Sequence, residues 1–325
     1  MRQTQRIRRS LLALVPCMLF GTTALAQDYP SRPVKIIIPF PAGGVLDSLT
    51  RAVAQRLQIA MGQPFIVENI AGASGNIGLA NCARAPADGY TLCSTNSDTI
   101  SLNPFMFKKM PVDPSNLTPV QRLATVDGVI FASAASQFSN MGDLLTAARA
   151  KPGGVAWGSF GVGSTSHLYM GWINKEKNVD LLHVPYKGSA PLLQAALSGE
   201  IQVGYLSAGF LMPHFRSGKL KALAAVSNKR FESLPNVPTL KESDFNFFVS
   251  SWLGMFAPPG TPKTIVERLN NELTKIMNDT TFRHEMLSPQ GFRPATLPLD
   301  DFTQFVKQDR TVGEKLVHLT GITLD

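Results

Sequence analysis

The chain has 325 residues, 44% of them hydrophobic and 17% charged, with a formal net charge of +8. At about 150 residues per domain this length suggests two domains, and an apolar share near the globular average excludes a mainly disordered chain. No apolar run reaches the roughly 18 to 20 residues that a membrane-spanning helix needs, so the mature chain is not expected to cross a bilayer.

The N-terminal stretch reads as a secretory signal peptide. Arg2, Arg6, Arg8 and Arg9 form a positive start, Leu11 to Phe20 a short apolar run, and Ala24-Leu25-Ala26 the small-x-small signal for a cut before Gln27. A lipoprotein reading would need Cys17 as the modified residue; it follows Val15-Pro16 in mid-run, where a small residue is wanted, and is rejected. Removing 1–26 halves the formal charge, and the remaining Lys and Arg are scattered singly. Nucleic acid therefore has no support as a partner, and export points to the periplasm.

Val34 to Pro39 reads as a buried strand, Phe40 to Gly44 as a turn, and Leu46 to Met61 as a helix with apolar residues at Leu46, Leu49, Val53, Leu57 and Met61. Gly62-Gln63-Pro64 stops it. Phe65 to Asn69 is a second strand, Asn76 to Arg84 a helix and Tyr90 to Thr95 a third strand. This is one doubly wound half around a mostly parallel sheet. The second half repeats the style, with strands expected at Gly128 to Ser133, Val155 to Ser159, Leu182 to Val184, Ile201 to Leu206 and Leu220 to Val226. Its helices are expected at Met141 to Ala150, Ser166 to Asn174, Pro191 to Ser198 and Phe210 to Ser217. After a strand at Trp252 to Ala257, helices near Thr264 to Asn278, Thr281 to Leu287 and Leu299 to Leu319 end the chain. A late strand followed only by helices predicts a return onto the first unit, with crossings near 125–130 and 248–252. The expected division is 1–26 as signal peptide, 27–127 with 250–325 as a discontinuous lobe 1, and 128–249 as lobe 2.

Cys82 and Cys93 survive processing, and their spacing fits no zinc or CxxC redox pattern. In an exported chain they can close one disulfide around a short loop or pack as two separate thiols.

Two glycine-bearing turns each join a predicted strand to a predicted helix: Phe40-Pro41-Ala42-Gly43-Gly44, and Gly158 to His167 with its Gly161, Gly163, Ser164, Thr165 and Ser166. A helix start leaves N–H groups unpaired and carries partial positive charge, so such turns favour anions. Glycines admit a ligand close to the main chain, and the hydroxyls can donate to a carboxylate or cap the helix. Ordinary turn and cap chemistry explains either turn alone. Two of them, at strand carboxyl ends, suggest a ligand cleft. Asp47 either complements the helix dipole or accepts a hydrogen bond from a ligand. Ser166 and His167 diverge by about 100° on a helix and have no acidic partner nearby in sequence, so His167 is read as structural or pocket-lining. The histidines at 183, 214, 284 and 318 are scattered, with no HExxH or clustered Cys/His, so no metal is expected. No Walker sequence, strand-exit GxGxxG or GxSxG elbow occurs, so neither a nucleotide cofactor nor an enzyme is indicated. Tyr186, in His183-Val184-Pro185-Tyr186-Lys187-Gly188-Ser189, can line the cleft or pin its turn.

Several stretches carry a further likeness. They are Tyr29-Pro30-Ser31-Arg32-Pro33-Val34, Pro39 to Gly44, Val67-Glu68-Asn69, Gly75-Asn76-Ile77-Gly78, Pro86 to Leu92 and Asn103-Pro104. His183 to Gly188, Gly218 to Ala224, Ser250-Ser251-Trp252 and Ala257 to Pro262 follow in order. Over essentially its whole mature length the chain resembles the Bug-type substrate-binding proteins of tripartite tricarboxylate transporters. The resemblance implies an α/β fold of two doubly wound lobes, a type II-like periplasmic binding protein with the cleft between them. It implies a monomer without cofactor that closes on a small organic acid and hands it to the transporter's membrane subunits. In that family main-chain amides, hydroxyls and ordered waters hold the ligand carboxylate, which carries the role to Phe40, Pro41, Ala42, Gly43, Gly44 and Asp47, and to Gly163, Ser164, Thr165 and Ser166. Phe160, His167 and Tyr186 are expected to complete the ligand contacts.

The chain departs from the family pattern at Val45 and Leu46, where a small or hydroxylated residue or Pro, then Thr, is usual. It departs again at Val162, often polar, and at Leu206-Ser207, often Asp-Asn. These changes predict an aromatic or alkyl carboxylate as ligand. Competing readings are a sensor component that presents its ligand to a receptor, and an exported hydrolase using Ser166 and His167.

Overall fold

A computed structural model describes residues 29–246, 249 and 251–325; the expected signal peptide and Ser250 lie outside the described residues. The chain runs β1 (Val34–Ile38), α1 (Val45–Met61), β2 (Phe65–Asn69), α2 (Asn76–Ala83), β3 (Thr91–Asn96), a π-helical turn at Asp98–Leu102, α3 (Asn103–Met106) and β4 (Thr118–Val126). It continues with β5 (Gly128–Ser133), α4 (Met141–Ala150), β6 (Val155–Ser159), α5 (Thr165–Lys177), β7 (Leu181–Pro185), α6 (Ser189–Ser198), β8 (Val203–Ser207), α7 (Ala208–Arg216) and β9 (Leu220–Val226). It ends with β10 (Ser251–Ala257), α8 (Lys263–Asn278), α9 (Thr280–Phe282), β11 (Phe292–Pro294) and α10 (Leu299–Thr320).

The strands form two sheets, β11-β4-β10-β3-β1-β2 and β7-β6-β8-β5-β9. Asp127 alone separates β4 of the first sheet from β5 of the second, and β10 brings the chain back. Each sheet with its helices makes one lobe.

Alternation along β1 decides the layering of lobe 1. Val34, Ile36 and Ile38 face a core with Leu49, Val53 and Leu57 of α1 and Leu269 and Leu273 of α8. Ile37 points to the opposite face, into a cluster with Leu79, Trp252 and Phe302. Each such side chain, once fully buried, contributes roughly 1.5–3 kcal/mol relative to exposure. A disulfide joins Cys82 in α2 to Cys93 in β3 inside that second cluster, with Cα atoms 5.9 Å apart.

The sheets are mixed, which corrects the expectation of mostly parallel ones. β1 pairs in parallel with β2 and β3, and β6 with β7 and β8. β10 runs antiparallel to β3 and β4, β11 to β4, and β5 to β8 and β9. A parallel neighbour needs a crossover helix, whereas β5 and β10 arrive directly from the other lobe. β4, β11, α3 and the π-helical turn are additions to the expected elements. Pro119 obscured β4, but it lies where the register with β10 shifts between Met255 and Phe256. There its missing N–H costs the ladder little.

The lobes also meet beside the crossings. The Arg293 guanidinium donates to Asp127 at 2.7 Å, and the Ala208 N–H to the Asp127 carbonyl at 2.6 Å. Gly209, at the start of α7, has no room for a side chain: a Cβ would fall 1.8 Å from the Gln290 carbonyl carbon. The C-terminus lies along α5, with the Leu324 N–H on the Met106 carbonyl at 2.8 Å.

Candidate ligand cleft

On lobe 1 the turn after β1 leaves Pro41, Ala42 and Gly43 exposed and Phe40 and Gly44 half-buried. Gly44 caps α1 in an extended conformation with no side-chain hydrogen bond. The cap residue thus offers no side-chain acceptor to the first amides of this 17-residue helix. Asp47 does not supply one. Its carboxylate accepts the Gly43 N–H at 3.1 Å, the Arg51 Nε at 3.0 Å and the Asn69 amide at 3.0 Å. Asn69 also donates to the Phe40 carbonyl at 3.0 Å and accepts from Arg51 at 2.7 Å. Burial alone would raise the Asp47 carboxyl, but bonds from Arg51, Gly43 and Asn69 and the Arg51 charge hold it below its usual range. Asp47 thus shapes the turn, from a nearly buried position 6% exposed.

On lobe 2 the turn after β6 is largely self-satisfied. Ser164 caps α5: its Oγ accepts the His167 N–H at 3.4 Å and donates to the Gly161 carbonyl at 2.7 Å. The Ser166 hydroxyl, fully buried, donates to the Gly158 carbonyl at 3.2 Å and accepts from the Trp157 indole at 3.3 Å. Gly163 sits at φ +79, a conformation that suits glycine, and a Cβ there would lie 2.7 Å from Leu324. Its N–H donates to His167 Nδ1 at 3.1 Å.

The His167 ring stacks on His183, centroids 3.8 Å apart and planes 3° from parallel. His183 Nε2 lies 2.7 Å from Ser159 Oγ, whose proton goes to the Gly161 carbonyl at 3.0 Å, so the imidazole donates. Burial pushes both imidazoles down to about 4, and for His167 the neighbouring His183 adds to it. Both rings are neutral near pH 7 and offer an anion no charge. His183 was read as isolated; pairing of β6 with β7 under α5 is what brings it to His167. No hydrogen bond joins Ser166 Oγ to either imidazole, so the geometry a Ser–His hydrolase requires is not formed here.

Tyr186 takes the pinning role, donating to Glu200 at 2.7 Å. Burial and then Glu200 raise its hydroxyl to about 12. Phe160 packs half-buried against both cores of lobe 2.

Three bonds connect the lobes across this region. Ser74 Oγ donates to the Val162 carbonyl at 2.8 Å. Asp98 of the π-helical turn receives both the N–H, at 2.9 Å, and the hydroxyl of Thr165. The Phe40 ring and the Thr99 hydroxyl both flank Gly75, each 3.1 Å from where its Cβ would stand. The two turns therefore lie close together across the lobe boundary. Sequence reasoning missed Ser74, Asp98 and Asn69 as its framework. Asn69 closes a motif quoted for the resemblance, and Asp98 is a lone acid in the hydroxyl-rich run Ser97 to Ser101; neither carries a ligand signature.

Of the four departures from polarity, two say nothing about a ligand. Leu46 and Leu206 are 5% and 3% exposed and belong to the cores of their own lobes. Ser207 caps α7. Val45, half-buried, also packs against the lobe 1 core, and Val162 alone of the four is largely exposed, at 42%.

Residues 49–322 match the model of the tripartite tricarboxylate transporter family receptor. Protein BugT of Bordetella pertussis is 32% identical over 305 residues, 92% of each chain. A solved R. palustris protein with adipate superposes with a TM-score of 0.86 at 30% identity, covering 91% of this chain and 99% of that one. The periplasmic binding protein BugD superposes with a TM-score of 0.83 at 30% identity, again covering 91% and 99%. The two-lobed α/β architecture is that of periplasmic binding proteins.

Proposed function

The chain belongs to the tripartite tricarboxylate transporter receptor family, and on that premise we propose that it captures a small carboxylated solute between its lobes. It then delivers the solute, as a monomer, to the membrane subunits of a tripartite tricarboxylate-type transporter. It works in the periplasm, after export by a signal peptide cut before Gln27.

The observation that carries this reading is the open start of α1. Lobe 1 presents uncapped amides beside exposed Pro41, Ala42 and Gly43, while Asp47, Arg51 and Asn69 hold the turn rigid. A carboxylate placed there gains hydrogen bonds and the helix dipole without needing an Arg clamp. Phe40 and Val45 on one side and Phe160 and Val162 on the other give the cleft aromatic and alkyl walls, which fits an aromatic or alkyl acid. Gly161, Val162 and His167 form the opposing wall on this reading, with Gly163 to Ser166 buried behind it and Tyr186 held to Glu200. Closure strengthens the bonds to the ligand by drying the site, and contact with both turns favours the closed state.

A thermal-shift screen of purified protein against carboxylic acids tests this. Citrate, C4 dicarboxylates, acidic amino acids, alkyl acids, benzoate, nicotinate and terephthalate make the panel. Ligand at about 100 times its Kd adds roughly 2.7 kcal/mol, which raises the midpoint by several degrees. A shift with alkyl or aromatic acids is expected; tight citrate binding alone would refute the apolar walls, and no shift with any acid would refute carboxylate capture.

A further inference from the structure

Two stretches that neighbour the first sheet in sequence reach into lobe 2. Helix α3 lies between β3 and β4, and α10 follows β11. The first half of α10 packs where its position in the chain suggests, with Phe302 and Val306 in the cluster around Trp252. Its last turns pack elsewhere: Leu316 and Val317, together with Met106 of α3, share a buried core with Trp157, Leu168 and Tyr169 of lobe 2. Gly321 then ends the helix in the left-handed conformation, and Ile322 and Leu324 run on against α5.

This short segment is fixed along its length. The Ile322 N–H donates to Thr320 Oγ1 at 3.2 Å. The Leu324 N–H donates to the Met106 carbonyl at 2.8 Å, and the Lys108 N–H to the Leu324 carbonyl at 3.0 Å, in a parallel bridge with Phe107. Each of its two apolar side chains meets a glycine of lobe 2. Ile322 Cδ1 stands 2.8 Å from where a Gly171 Cβ would be, and Leu324 Cδ1 2.7 Å from where a Gly163 Cβ would be. Gly163 is buried and ends the turn Gly161-Val162-Gly163. Polar bonds hold the front of that turn, from Ser164 Oγ to the Gly161 carbonyl and from Ser74 Oγ to the Val162 carbonyl. Its back rests on Leu324.

Resting on the carboxylate-capture reading above, we infer that Leu324 is a positioning residue for the ligand: it seats the Gly161–Gly163 turn from behind, and through that turn sets the affinity of a site it does not touch. A turn with glycine on both sides of Val162 bends easily. Packing behind it must therefore supply the rigidity that a binding site needs, and a close-packed interior transmits the loss of even one side chain.

Amide hydrogen exchange of the full chain tests the seat without any ligand. Leu324→Ala is expected to speed exchange over 161–167 by about tenfold, through local opening, and to leave β5 unchanged. Leu324→Met refills the space and is expected to restore slow exchange. Calorimetric titration with hexanoate, adipate, benzoate and citrate then reads affinity. For whichever acid binds the wild type most tightly, Leu324→Ala is expected to raise Kd by about tenfold, and Leu324→Met to restore it. Should Leu324→Ala lack a cooperative melt, Leu324→Val replaces it, with smaller changes of the same pattern. Unchanged exchange over 161–167 overturns the inference. Exchange that quickens evenly through lobe 2, or quickens at the turn with Kd unaltered, also overturns it, since Leu324 would then serve only the fold. No binding of any acid by the wild type removes carboxylate capture and leaves the seat to be decided by the exchange result alone.

Discussion

The stacked imidazoles of His167 and His183 make lobe 2 sensitive to acid in a way that can be isolated. In the unfolded chain both rings take up a proton as pH falls through about 6.5. In the folded protein they stay neutral until about 4, because burial, and for His167 the facing His183, disfavour the charge. The unfolded state then binds more protons throughout that interval, so stability falls as pH drops from about 6.5 to about 4 and is flat on either side. A fully sequestered ring shifted this far would cost about 3 kcal/mol. Both rings are only half-buried, so we expect about 1–2 kcal/mol each after solvent screening. Protonating His167 Nδ1 would also lose the 3.1 Å bond from the Gly163 N–H. The assay is urea unfolding at pH 7.5, 5.5 and 4.0 for the wild type and for His183→Phe, which keeps a stacked ring and cannot titrate. The comparison with the variant cancels the many carboxylates that titrate in the same range. The variant should lose less stability between pH 7.5 and 4.0 than the wild type, by about 1–2 kcal/mol. Parallel pH profiles for the two proteins would refute the assignment of neutral, stacked rings.

Asp47→Ala leaves the Gly43 N–H and the Arg51 side chain without their acceptor. It should lower stability by about 1–3 kcal/mol and weaken carboxylate binding, read by chemical unfolding and calorimetry; unaltered affinity would show that the turn needs no such brace. Gly209→Val should lower Tm by several degrees or spread the lobes, since its side chain would overlap Gln290; small-angle scattering and a melting curve decide between a strained closed form and an open one, and an unchanged protein would contradict the close approach. The Cys82–Cys93 link closes a separation of 11 residues, so reduction should cost about 3 kcal/mol. Intact mass before and after reduction should differ by two hydrogens, and two thiols reactive in the unreduced, unfolded protein would refute the bridge.

Much of the secondary structure can be read in the chain because its causes are local. The strands Phe65–Asn69, Gly128–Ser133, Val155–Ser159 and Leu220–Val226 and the helix Met141–Ala150 have the limits expected from their periodicity and punctuation. Gly62 ends α1 in the left-handed conformation that its position after Met61 suggests. Strand β4 is obscured because a Pro inside a polar-interrupted run normally argues against a strand, and only the bulge in β4 where it pairs with β10 makes it acceptable. The apolar substitutions at Leu46 and Leu206 misled for a related reason: a sequence position beside a turn does not say whether a side chain points into the cleft or into its own core.

By itself the sequence determined the two α/β units and the two glycine turns, and its motifs named the family. All of these rest on hydrogen bonds and side-chain spacing within one or two turns of chain, or on short motifs that resemble the family's. Only the tertiary structure decided what those turns can still bind. Whether a helix start is open depends on which carboxylate reaches it, and Asp98 arrives at Thr165 from the other lobe, while Asp47 turns away from the helix it begins. Likewise, His167 meets His183 because parallel strands β6 and β7 lie side by side beneath α5. Such encounters depend on how the sheets stack and close, and no local pattern of residues records them.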